Sequence, residues 1–115
     1  QGQPLRRGIF VDAIYDIGRI ENVHFNPWWS MHKPLIEWQN ANGEAFIFGR
    51  TDWQYVLNTF CFGYRIGYRF IETSNGVCNG NFLGIGADEP ERLRMAELMP
   101  TTSPRMLTMG PPELP

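Results

Sequence analysis

Eight carboxylates fall in the first 88 residues: Asp12, Asp16, Glu21, Glu37, Glu44, Asp52, Glu72 and Asp88. Two such groups, one holding a proton and one ionised, are what acid/base cleavage of a glycosidic bond requires. Four of them keep informative company. Asp12 and Asp16 sit either side of Tyr15 and share a strand face if the strand breaks at Gly18 and not earlier. Glu44 opens a strand after the turn signal Asn42-Gly43, and Asp52 lies between Arg50 and Trp53, a cation and an aromatic platform. Asp52, Glu44, Asp12 and Asp16 are therefore the candidate acids, bases or ligand-holding carboxylates, while each also reads as a turn, a cap or a solvated charge.

Flat apolar side chains form a second group. Trp28 and Trp29 follow Asn26-Pro27, and Trp38, Trp53 and Tyr55 could extend the same surface. Adjacent tryptophans in a Pro-bounded loop cannot both enter one core, so at least one is expected at the surface; the competing reading is a hydrophobic cap over the end of the fold. Arg50, Arg65 and Arg69 supply cations. Arg65 and Arg69 fall in register on one face of an alternating run, where they could bind an acidic group or keep an open sheet face soluble.

Other chemistries lack their patterns. His24 and His32, with Pro27 between them, have no metal-ligand spacing, and there is no Asp-rich calcium loop. No metal and no cofactor is expected. Ser30 stands near His32 without a Gly-x-Ser-x-Gly elbow, and no phosphate-cradling glycine loop occurs. Cys61 and Cys78 match neither a zinc ribbon nor a CxxC pair, which leaves buried thiols or a single disulfide open.

The elements that must position these residues lie in a chain of 115 residues, the length of one domain. With 10 basic and 12 acidic residues there is no excess positive charge for nucleic acid or an anionic membrane. No apolar run approaches a bilayer span. All aromatic residues fall between Phe10 and Phe82, so the expected division is a folded part, 1–88, and a Pro- and Met-rich tail, 89–115. A helix is expected over 89–99, and a disordered or extended end after Pro100. Alternation of Phe60, Phe62, Tyr64, Ile66, Tyr68 and Phe70 predicts one strand over 60–70. Further strands are predicted over 8–14, 17–25, 44–48 and 77–85, and helical turns over 29–39 and 51–57.

Two segments carry a resemblance. The run Arg19-Ile20-Glu21-Asn22-Val23-His24-Phe25, within 8–29, and the run Val77-Cys78-Asn79-Gly80-Asn81-Phe82-Leu83-Gly84-Ile85-Gly86-Ala87-Asp88 look like stacked rungs. With Ala45–Trp53 between them, they resemble the right-handed parallel β-helix proteins of the pectate lyase superfamily, described as polygalacturonase-like or glycosyl hydrolase-related. The resemblance covers roughly 8–88. It implies a mostly β fold, a short right-handed parallel β-helix of about three or four rungs with short helical insertions. The chain then reads as a truncated segment with an unrelated tail, whose open sheet edges imply a homo-oligomer.

The resemblance also implies a carbohydrate-active protein acting on a plant or microbial polysaccharide or oligosaccharide. Glycoside hydrolysis is the leading expectation; a lyase depending on Arg65 or Arg69, and a non-catalytic binding or assembly module built on Trp28, Trp29, Trp38 and Trp53, are the alternatives. The family's Asn-Thr-Asp, Asp-Asp, Gly-His-Gly and Arg-Ile-Lys elements are missing, so the resemblance bears on scaffold and substrate class more than on mechanism. A secreted or periplasmic location follows if a leader has been removed, with the cytoplasm as the alternative, since the first seven residues hold no signal-type apolar core.

Overall fold

A computed structural model describes residues 1–88; the helix expected over 89–99 and the end beyond it lie outside these. The strands are β1 (Arg7–Val11), β2 (Arg19–Glu21), β3 (His24–Phe25), β4 (Glu44–Phe48), β5 (Thr51–Phe62), β6 (Ile66–Phe70) and β7 (Cys78–Asp88). One helix, α1 (Lys33–Asn42), falls between β3 and β4. The described chain is thus mostly strand, as expected. Strands β1, β4 and β6 form one sheet in that order; in the second, β2 and β3 lie end to end on one side of β5 and β7 lies on the other. Every strand pair is parallel. The chain therefore passes three times from the first sheet to the second.

Parallel registers bring like residues together. Ile9, Phe46 and Tyr68 are successive partners, as are Val11, Phe48 and Phe70. Because side chains alternate along a strand, these all turn to one side, towards the second sheet. There Phe25, Phe46 and Tyr68 stack with centroids 5.0 and 4.8 Å apart. Phe48 and Phe70 stack at 5.3 Å, and Phe82 of the opposite sheet meets both edge-on at 5.1 and 5.2 Å. Each such pair adds about 0.5–1.5 kcal/mol beyond the area it buries. Val56, Cys61 and Cys78 complete the core between the sheets.

A bend in the second sheet recurs on each pass. Asn22, Asn58 and Gly84 follow the aligned residues Glu21, Leu57 and Leu83, and all three have left-handed backbone, at φ 60°, 57° and 68°. Asn58 Nδ2 donates to Asn22 Oδ1 at 2.7 Å. Asparagine tolerates this conformation better than other side-chain-bearing residues because its short amide bonds locally. The bend splits the strand expected over 17–25 into β2 and β3.

Three expectations need correction. Residues 51–57, expected helical, belong to β5: Thr51, Trp53, Tyr55 and Val56 are strand formers, and partners on both sides outweigh the weak helical spacing. The single strand expected over 60–70 is two, because Gly63, at φ 83°, turns the chain from the second sheet into the first. Helix α1 starts later than expected, with Pro34 in its first turn, where no intrahelical N–H is needed. It runs up to Gly43, so the turn signal Asn42-Gly43 marks the end of a helix before β4.

The repeated bend makes a prediction. An added Cβ at Gly84 would lie 3.5 Å from Asn58 N, an ordinary contact. Gly84→Asn is expected to leave the thermal midpoint unchanged or raise it by continuing the amide row. Gly84→Val is expected to cost about 1–2 kcal/mol for its left-handed backbone, measured by urea unfolding.

Candidate functional site

Three turns lead from the first sheet to the second, after β1, β4 and β6, and Asp12 ties them together. Its Oδ1 accepts the Arg50 N–H at 2.8 Å and the Thr73 hydroxyl at 2.9 Å, and its Oδ2 accepts Asn75 Nδ2 at 3.0 Å. Gly49 leaves room for this carboxylate: a Cβ there would come within 2.7 Å of Asp12 Oδ1 and Thr73 Cγ2. The Arg50 N–H above all, then Thr73 and Asn75, hold the Asp12 carboxyl below its ordinary range, against a partial burial that works the other way.

From this tie the network reaches the surface. Arg50 Nη2 donates to Asp52 Oδ2 at 2.9 Å, Nη1 to the Asn75 carbonyl at 3.4 Å, and the guanidinium lies 5.0 Å from the centre of the Tyr15 ring. Asn79 Nδ2 donates to Asp52 Oδ1 at 3.4 Å, and Asn79 Oδ1 accepts the Trp53 N–H at 2.8 Å. Trp53 is 57% exposed, with left-handed backbone at φ 54°. Tyr55, two residues on, is half-buried and pairs with Arg19 and Asn81 on either side.

One corner thus gathers Asp12, Arg50, Asp52 and Trp53, all singled out by sequence, while Tyr55 lies further along β5. Asp16 stands on the exposed loop after Tyr15, its Oδ1 accepting the Ile17 N–H at 2.9 Å. Sequence reasoning missed Thr73, Asn75 and Asn79, and gave Tyr15 no role beyond its place between two aspartates. Ser74-Asn75-Gly76 is legible only as a turn, and nothing local indicates that its amide meets a carboxylate more than 60 residues earlier.

The other candidates lie elsewhere. Glu44 accepts Arg69 Nη1 at 2.9 Å and has Arg7 Nε at 4.0 Å, a cluster on the first sheet. Arg65 precedes β6 in the turn that follows Gly63, so it does not share a strand face with Arg69, contrary to expectation. Trp28 and Trp29, 64% and 60% exposed, belong to the loop before α1, and Trp38 to the helix itself. That loop is pinned by Gln3 Oε1, which accepts the N–H groups of Trp29 and Ser30 at 3.0 and 2.9 Å. A groove of about 430 Å³ runs beside it, between Gln3, Trp29 and Leu35.

His24 meets Phe60 edge-on at 5.1 Å, and among the described residues no group of His, Cys, Asp and Glu could hold a metal ion. Cys61 and Cys78 are buried, and no disulfide joins them. They pair with Ala87 and Thr51, at opposite ends of the β5–β7 ladder, far beyond the roughly 7 Å that a disulfide spans. Burial pushes the Cys61 thiol up to about 12, which makes it a poor nucleophile.

Chemically, the corner combines an exposed indole with a paired guanidinium, a surface carboxylate and amides. Compared with protein-family models, curated proteins and solved structures, the chain matches none of them.

The lowered carboxyl has a pH consequence. A group whose folded pKa lies below its unfolded value of about 3.9 contributes stability that is present above that value and lost as pH falls through the folded pKa. Asp12→Asn is expected to lower the thermal midpoint at pH 7, and its difference from the parent is expected to shrink below about pH 4. Melting curves from pH 7 to pH 2 check both.

Proposed function

We propose that this protein is a short right-handed parallel β-helix that binds carbohydrate at the corner around Trp53. Three features support the scaffold: wholly parallel pairing, three passes between the same two sheets, and a left-handed bend repeated at Asn22, Asn58 and Gly84. Parallel crossovers within a sheet are right-handed in about 98% of cases.

Trp53 carries the functional reading. A bulky residue in left-handed backbone costs about 1–2 kcal/mol, and this one also leaves most of its ring in water. The residue sits in the bulge that β5 makes against β7 between Thr51 and Gln54, and bulges and backbone strain of this kind gather beside ligand sites, where they re-aim a side chain. The indole offers a flat face to the C–H side of a pyranose ring, and the adjoining network of Arg50, Asp52, Asn75 and Asn79 carries the donors and acceptors that sugar hydroxyls use.

Binding is favoured over hydrolysis. A hydrolase needs a carboxyl that keeps its proton beside an ionised one. Asp12 is held ionised by its donors, and Glu44 is paired with Arg69 on the other sheet. Asp16 is engaged with the Ile17 N–H.

Trp53→Gly separates function from stability. Removing the strained side chain is expected to leave the unfolding free energy unchanged or raise it by up to about 1 kcal/mol, measured by urea unfolding. The same change is expected to abolish oligosaccharide binding measured by calorimetry, whereas Trp38→Ala leaves binding in place. Undiminished binding by Trp53→Gly would overturn the assignment of this site.

A further inference from the structure

We infer that the glycan taken at the Trp53 corner is uncharged, and that chains of uronic acid are rejected there. The inference rests on the carbohydrate reading above and names its ligand class. Asp12, Arg50 and Asp52 form one connected set with a single cation, and Asp16 stands on the loop that follows Tyr15. Arg50 gives one terminal nitrogen to Asp52 and the other to the Asn75 carbonyl, its guanidinium lies beside the Tyr15 ring, and its Nε, buried without a partner, is closed to an incoming group.

The other cations do not remedy this. Arg19, the partner of Tyr55 across the sheet, is paired with Glu21 at 3.3 Å. Arg69 is held by Glu44 on the first sheet, and Arg65 lies in the turn before β6. A uronate at the indole would meet a corner of net negative charge, and engaging Arg50 would bring its carboxylate beside that of Asp52. Like charges brought together in this way count against the charged ligand and so select the neutral one.

A neutral sugar meets no such obstacle. An ionised carboxylate has about four acceptor positions, and Asp52 receives two donors, Arg50 and Asn79, so it can still accept hydroxyl protons. The arrangement suits a ligand that donates through hydroxyls and carries no charge.

The test is calorimetric titration of the full chain with cello-, xylo- and manno-oligosaccharides and with oligogalacturonates of equal length, at low salt. At least one neutral series is expected to bind about tenfold or more tightly than the oligogalacturonates, with the gap narrowing as salt screens the corner. Asp52→Asn keeps the shape and removes one negative charge. With its fold checked by circular dichroism, this variant is expected to narrow the gap by admitting oligogalacturonate to Arg50. Oligogalacturonate binding as tight as the neutral series, or a gap unchanged in Asp52→Asn, overturns the inference and leaves the carbohydrate reading standing. Binding of neither class at millimolar ligand overturns that reading, and the inference with it.

Discussion

Parallel pairing places each strand directly on the strand before it, so every residue meets the occupant of the same position one pass earlier. This constraint organises the molecule. An aromatic ring facing inward is answered by another at the next level, as Phe46 is by Tyr68 and Phe48 by Phe70. Offset rings attract, so the repetition becomes cohesion and not crowding. A bend must likewise repeat or the ladder breaks, and it does repeat, at Asn22, Asn58 and Gly84.

The same constraint applies to turns. Loops after β1, β4 and β6 lie over one another because the strands they follow do, and their polar groups must then satisfy one another. Asp12 does this for all three, with one oxygen for Arg50 and Thr73 and the other for Asn75. A carboxylate is the efficient choice, since it accepts several donors at once and needs none in return. Once the turns are fixed, Arg50 has a defined direction, and Asp52 and Trp53 on the strand that follows are set beside it.

Part of this was legible in the residue order. Strand β4 was readable from Ala45-Phe46-Ile47-Phe48, and the Arg50-Asp52-Trp53 grouping from its local chemistry. Strand β5 was hidden, because a period-2 pattern needs a straight strand and this one changes course at Trp53 and again at Asn58. Phe60 to Phe70 misled in the opposite way: the alternation is genuine on each side of Gly63 but belongs to two sheets. The amides of Asn75 and Asn79 were out of reach, since their partners are set by stacking and not by neighbourhood. Whether a polar turn residue serves the fold or a ligand depends on which turn lies above it.

Four residues other than glycine adopt left-handed backbone among the described residues: Ala13, Asn22, Trp53 and Asn58. The two asparagines explain themselves, bonded to each other by side-chain amides in a repeated bend. Trp53 lies where β5 carries one more residue than β7 between Thr51 and Gln54, a bulge that turns its side chain outward, and both it and Ala13 adjoin members of the Asp12–Arg50–Asp52 network. Alanine there loses little, being small and exposed. Tryptophan loses the most, because its ring could have been buried with about as much benefit as any side chain in the core and is instead turned to water. A fold that pairs its inward rings, Phe46 with Tyr68 and Phe48 with Phe70, yet holds this indole outward on left-handed backbone in the middle of a strand, has a surface whose shape answers to something other than its own stability.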